Sequence, residues 1–290
     1  MPDLIVLSTV QSDQSTSAVI DWLGNHEVLR INNDDVPASI QAHWLPLDYQ
    51  KVFPDIKSIW FRKGHYSTVT LNAAHPEMEA FATEELYALS RAFYSDNQKT
   101  RALGTTEYVP FSKLSLLLIF KQFNLNIPET LVTSKKEELI EFRKRNNDVI
   151  IKPLSEGVRF KVGDQYYKTF TERLTKDLFE ALEPTFFPTL FQKRIEKKFE
   201  IRSFYLNEEI FSMAILNPSI PITDVDSRIH SRNNKVRRVP YKLPTEIENR
   251  MKSVMKLLCL DTGSFDIIHG IDNAFYFLEL NLAGQFENLS

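Results

Sequence analysis

The spacing of apolar residues changes repeatedly along the chain, and each change marks an element. Residues 4–8 (LIVLS) form a compact apolar run that predicts a first strand. Ser15 and Thr16 offer a helix cap, Val19, Ile20 and Leu23 follow at helical spacing, and residues 27–31 form a second strand-like run. Residues 39–47 and 57–61 add strand candidates, and residues 76–94, rich in Glu, Ala and Leu, predict a long helix. An α/β amino-terminal domain to about residue 110 follows from this alternation. Beyond Pro110 the pattern predicts a helix over 112–123, a strand around 127–133, a helix over 134–145, and the fully apolar strand 149–151 running into Lys152-Pro153. Strands then dominate: 160–162 and 166–170 flank Gly163-Asp164 as a hairpin, 189–195 is another strand, and 201–206 and 210–216 flank a polar turn. A last helix over about 245–260 has Ile247, Met251, Val254 and Leu258 at core spacing. It feeds a closing hairpin, SFDIIHGIDNAFYFLELN, with its turn at Ile271-Asp272-Asn273.

Composition narrows the class. With 290 residues, 43% hydrophobic, 25% charged and a net charge of −3, the chain is globular, and bulk electrostatic binding of nucleic acid is not expected. The single cysteine, Cys259, rules out an internal disulfide framework and sits among leucines, where core packing is the expectation. The amino-terminal residues do not read as a secretory signal, and the apolar run at 114–120 is far short of the roughly 20 residues that cross a bilayer. A soluble, cytoplasmic protein without a membrane partner is expected.

Four stretches carry chemistry. In the closing hairpin, the strand period of two puts Glu279 and Asn281 on one face with Leu280 opposite, and folding back at the turn brings Asp266 beside them. Such oxygen donors suit Mg²⁺, which usually completes its shell with nucleotide phosphates and water. Lys152 closes an apolar strand before the turn Ser155-Glu156-Gly157, a place for a phosphate contact or simply a solvated lysine. Glu200 and Arg202 alternate on one strand and aim at one side, either for ribose hydroxyls and phosphate or as a same-face ion pair. Asp224, Asp226, Arg228, Arg232, Arg237 and Arg238 share a stretch with no period, which predicts a charged loop. No Walker-type loop and no GxGxxG is present.

The order of these features, a strand-end lysine, a Gln…Glu-x-Arg stretch, a charged loop and then Asp…Glu-x-Asn, resembles the ATP-grasp ligases. The likeness extends to Ser15-Thr16, Arg30-Ile31-Asn32, Trp60-Phe61-Arg62-Lys63-Gly64, Ser112-Lys113-Leu114, Phe191-Gln192, Ile195 to Arg202, Arg238 to Pro244 and Gly284-Gln285-Phe286. Over nearly the whole chain it is similar to the ATP-grasp ribosomal-peptide maturases, the graspetide synthetases of the microviridin and grasp-with-spasm types. The resemblance implies an ATP-grasp fold with an amino-terminal α/β domain (1–110), a central α+β lobe (111–190) and a carboxyl-terminal α+β lobe (191–290), with ATP between the last two. It implies an enzyme whose substrate is a ribosomal precursor peptide of leader and core. Asp or Glu side chains would be activated as acyl phosphates and joined to Ser or Thr hydroxyls or Lys amines, giving macrocyclic esters or amides. It further implies that Lys113 and Lys152 contact the nucleotide phosphates, that Gln192 and the backbone of Lys193, Arg194 and Ile195 meet adenine, and that Glu200 meets ribose. Asp266, Glu279 and Asn281 would hold Mg²⁺, and Arg202 and Arg228 would serve the transferring phosphoryl group or the substrate carboxylate. A homodimer is compatible with the family.

Against the family pattern, the chain stops at Ser290, nine positions past Asn281, where a further helix is expected. Two other readings are carried forward: an ATP-grasp ligase that adds amino acids to a protein terminus, and a protein that binds ATP and peptide without catalysis.

Overall fold

In a computed structural model of the chain, the structure describes residues 3–8, 12–32, 57–62, 78, 81, 84–85, 101–104, 111–154, 159–162, 165–168, 171–216 and 237–282. The amino-terminal part holds β1 (Leu4–Ser8), α1 (Gln14–Trp22), β2 (Val28–Asn32), β3 (Ser58–Phe61) and β4 (Arg101–Leu103). Its strands run parallel in the order β2-β1-β3-β4. The cap of α1 is Asp13, whose carboxylate accepts the Thr16 N–H at 3.1 Å, and not Ser15 or Thr16, which are buried inside the helix. An ionised oxygen one turn earlier satisfies the free N–H group with a charge favoured at a helix start. The strand expected over 39–47 lies outside the described residues; within 76–94 only positions 78, 81, 84 and 85 are described, and all are helical.

The middle of the chain contains α2 (Lys113–Gln122), β5 (Thr130–Lys135), α3 (Lys136–Arg145), β6 (Val149–Lys152), β7 (Arg159–Val162), β8 (Gln165–Lys168), β9 (Glu172–Arg173), α4 (Lys176–Ala181) and β10 (Thr185–Lys193). An antiparallel sheet orders as β5-β10-β6-β9, and β7 and β8 form a separate hairpin. Leu139 and Phe142 of α3 pack with Val149, Leu174 and Phe191 on one face of that sheet. By alternation Thr130, Ile150, Lys152 and Gln192 belong to the other face. The remainder is β11 (Lys197–Leu206), β12 (Glu209–Leu216), β13 (Arg237–Tyr241), α5 (Thr245–Leu257), β14 (Thr262–Gly270) and β15 (Phe275–Asn281). These strands make an antiparallel sheet in the order β13-β12-β11-β14-β15. Arg237 and Arg238, expected in a loop, lie in β13, which among the described residues is an edge strand, the place in a sheet that tolerates a proline such as Pro240.

The largest core covers one face of this five-stranded sheet. Leu116, Leu117 and Phe120 of α2 and Met251, Val254 and Met255 of α5 meet Ile201, Tyr205, Phe265, Ile267, Phe277 and Leu280 from the strands. Both helices end alike. Asn124 and Cys259 take left-handed φ values of 55° and 52°, and Leu125 and Leu260 then donate their N–H groups back to Phe120 and Met255, each at 2.9 Å. This closure satisfies terminal carbonyls and sends the following leucine into the core. It also leaves the Cys259 side chain exposed, which overturns the expectation of core packing: the flanking Leu258 and Leu260 are buried, and the residue at the left-handed cap is not.

Among the described residues, the amino-terminal sheet is tied to this body through Gly104 and Asp261. The N–H of Gly104, just past β4, donates to both carboxylate oxygens of Asp261 at 2.9 and 3.1 Å. Gly104 has φ +85°, and a Cβ there would stand 2.4 Å from the Phe61 carbonyl oxygen. Gly104→Ala is therefore expected to destabilise the protein by about 1–3 kcal/mol through backbone strain, with the overlap adding to it. Thermal unfolding measures this: an unchanged midpoint for Gly104→Ala would refute the strain, and an unchanged midpoint for Asp261→Leu, which removes both acceptor oxygens, would refute the fastening role.

Candidate functional site

Between the β5-β10-β6-β9 sheet and the five-stranded sheet lies an open cleft. Lys152, Gln192, Lys193, Arg194, Ile195, Glu200, Arg202, Asp266 and Glu279 line it together. Lys113, the first residue of α2, and Asn281, at the end of β15, are not among the lining residues, and Arg228 lies outside the described residues. Apolar side chains of Ile150, Ile195, Ile215, Ile268 and Leu278 share the lining with these polar groups.

Strand pairing places the acidic residues. Asp266 stands opposite Arg202 on one side and Glu279 on the other. Arg202 donates from Nε and Nη2 to the two Asp266 oxygens at 2.7 and 2.9 Å, a forked pair in which both side chains are about a fifth exposed. Burial pushes the Asp266 carboxyl up to about 6; the Arg202 guanidinium opposes that rise, and the neighbouring Glu279 adds to it. Glu200 pairs with Lys197 at 2.5 Å, so the anticipated ion pair between Glu200 and Arg202 does not form; each has its own partner.

A bulge decides where Glu279 points. The register passes from Asp266↔Glu279 to Ile267↔Phe277, leaving Leu278 as the extra residue of β15. In an uninterrupted strand Glu279 would share the face of Phe277, which is in the core. The extra residue reverses the phase, so Leu278 and Glu279 both line the cleft while Phe277 and Leu280 are both buried. Asn281, two residues on and opposite Ser264, falls on the Glu279 face.

The connection from β10 to β11 also lines the cleft. The N–H groups of Lys193 and Arg194 donate to Glu129 and Asp148 carbonyls at 2.8 and 2.9 Å, so these two backbone donors are already used within the protein. Ile195 has an N–H without a protein partner among the described residues. The Arg194 side chain is bound to Asp148, with Nε to Oδ2 at 2.5 Å. Gln192 is 1% exposed; its amide nitrogen donates to Thr130 and its amide oxygen is buried with no partner. Lys197, Thr130 and the Leu278 bulge were not singled out by sequence. For Lys197, its place three residues before Glu200 was the available signal.

Asp266, Glu279 and Asn281 offer a set of oxygen donors of the kind Mg²⁺ takes. Asp266 and Glu279 face each other across β14 and β15, burial disfavours the charge of Asp266, and among the described residues Arg202 is the guanidinium that engages it. Among the described residues no His, Cys or further carboxylate joins them as a cluster, and Asn281 shares the Glu279 face. A hard divalent cation fits this set. Among the described residues no helix is long and apolar enough to cross a membrane.

Residues 117–176 match the family described as prokaryotic glutathione synthetase, ATP-grasp domain. No curated protein matches the chain. Among solved structures, the Chryseobacterium gregarium RiPP-associated ATP-grasp ligase in complex with ADP and a leader and core peptide is 23% identical, with a TM-score of 0.76 over 99% of this chain and 91% of that one. Macrocyclase MdnC bound with precursor peptide MdnA, from Microcystis aeruginosa MRC, is 21% identical, with a TM-score of 0.75 over 98% and 92%. ATP-grasp ligase PsnB, complexed with a phosphomimetic variant of minimal precursor, Mg and ADP, is 16% identical, with a TM-score of 0.73 over 100% and 93%.

Proposed function

We propose that this chain, which has the ATP-grasp fold, is an ATP-dependent ligase acting on a ribosomally made precursor peptide: it activates Asp or Glu side chains as acyl phosphates and joins them to Ser or Thr hydroxyls or Lys amines. The observation that carries this reading is the cleft itself, in which a strand-end lysine and a glutamine-bearing slot on one sheet face the Arg202–Asp266–Glu279 row on the other. The solved structures of this fold that hold ADP and precursor peptides support the substrate class.

In this reading Lys152 would meet phosphate oxygens, Gln192 and the Ile195 N–H would meet adenine, and Glu200, held by Lys197, would meet ribose; their shared lining of one cleft supports it. Asp266, Glu279 and Asn281 would hold Mg²⁺, which neutralises charge on the β- and γ-phosphate oxygens when bound. Arg202 lies next to that point and steadies the carboxylate or the phosphoryl group in transfer. A substrate carboxylate oxygen attacks the terminal phosphorus and ADP leaves; the hydroxyl or amine then attacks the acyl carbonyl and phosphate leaves. Each bond costs the peptide one water. The protein needs no nucleophile of its own, in keeping with the absence of the exposed Cys259 from the cleft lining.

Incubation with ATP, Mg²⁺ and a candidate precursor peptide whose tail carries Ser, Thr or Lys together with Asp or Glu should give ADP together with one water lost per bond by mass spectrometry. A mass gain of an amino-acid residue would instead identify a terminus-modifying ligase. Neither ADP nor any mass change would favour a non-catalytic binding protein.

A further inference from the structure

The amide of Gln192 is oriented by a short relay. Gln192 and Thr130 stand directly opposite each other in the β10–β5 pairing. The Thr130 hydroxyl donates its single proton to the Pro128 carbonyl at 2.8 Å. It can therefore only accept from Gln192, whose Nε2 donates to it at 3.0 Å. The amide nitrogen is committed to Thr130, and Oε1 is left buried without a partner. Native proteins rarely keep such a group unsatisfied, and a missing ligand is one explanation for it. Three residues on, the Ile195 N–H also lacks a protein partner among the described residues. Gln192, Ile195 and Pro128 all line the same cleft.

An acceptor and a donor from residues three apart on the wall of one cleft are the pair that one kind of purine edge requires. A 6-aminopurine offers an exocyclic N–H donor next to a ring-nitrogen acceptor. A 6-oxopurine inverts both: its exocyclic oxygen accepts and its ring N–H donates. We propose that Thr130 is a positioning residue that determines nucleobase specificity, fixing Gln192 so that the site takes adenine nucleotides and rejects 6-oxopurine nucleotides. This rests on the reading of the cleft as a nucleotide site. Without the Thr130 hydroxyl the amide can turn and present nitrogen or oxygen, and the distinction is lost.

The test is calorimetric titration of the full chain with ADP and with IDP in the presence of Mg²⁺. The wild type is expected to prefer ADP by roughly ten- to a hundredfold, the effect of leaving one buried acceptor unsatisfied. In Thr130→Val the ratio should fall towards one, and Thr130→Ser, which keeps the hydroxyl, should retain the preference. Gln192→Leu, which removes the amide on a different strand, should lose it as well. An equal affinity of the wild type for both nucleotides would overturn the proposal. So would a Thr130→Val protein that binds both more weakly at an unchanged ratio, since that is the mark of a structural role. If neither nucleotide binds the wild type, the nucleotide-site reading falls and this proposal with it.

Discussion

Glu279→Gln is expected to abolish water loss from the precursor peptide, lowering the rate by at least about 10²-fold, while the protein folds normally. Glu279 stands opposite Asp266 and is turned into the cleft by the Leu278 bulge, so its carboxylate serves the cleft and not the core. An amide keeps the size and one oxygen but removes the negative charge that a bound Mg²⁺ requires. Loss of electrostatic stabilisation at a transferring group typically costs a factor of 10²–10³. Folding should not suffer, because in the metal-free protein Glu279 disfavours the charge on Asp266 and its replacement relieves that repulsion. Mass-resolved time courses read the activity, and unfolding without Mg²⁺ reads the stability. Crosslinking at the wild-type rate would sink the metal assignment.

The elements were legible where period and caps agree. Ser112, whose Oγ accepts the Ser115 N–H at 3.2 Å, starts α2 where the pattern placed a helix, and the hairpin turn falls at Ile271-Asp272-Asn273, with Asn273 at φ 65°. What escaped is short, non-local or set by phase. A two-residue strand such as β9 (Glu172–Arg173) has no period to detect, and it exists because β6 supplies its ladder. Arg237 and Arg238 carry a loop's composition, but pairing with Leu216 and Ile215 makes them strand. The bulge has no residue signature: the alternation Glu279-Leu280-Asn281 correctly grouped two oxygen donors, yet only the register shift turns them away from the face of Phe277. Likewise Gln192 could be placed near a nucleotide by resemblance, but which end of its amide is free depends on Thr130, 62 positions away.

The removal of Arg202 should have the other large effect, and its pH dependence identifies the cause. The Asp266 carboxyl, already at about 6 with Arg202 in place, should rise further in Arg202→Leu, because the guanidinium is what opposes burial and Glu279. The unfolded chain releases this proton near the ordinary value of 3.8, so between that value and the folded one it loses a proton that the native state keeps. Stability from this group is therefore present at low pH, declines as pH rises through that window, and levels off above about 6 in the wild type. In Arg202→Leu the decline should continue to higher pH. The two proteins should thus differ little near pH 4, where Asp266 is protonated in both, and on the order of 3 kcal/mol at pH 8, where one partner of a largely buried ion pair is left behind. Added Mg²⁺ should restore part of that difference only above about pH 6, where the wild-type carboxylate is charged enough to bind it. Denaturant unfolding across pH, with and without Mg²⁺, measures all of this, and Arg202→Lys keeps a charge without the fork. A stability difference that is the same at every pH would show that Arg202 acts by packing and not as the counter-charge of Asp266.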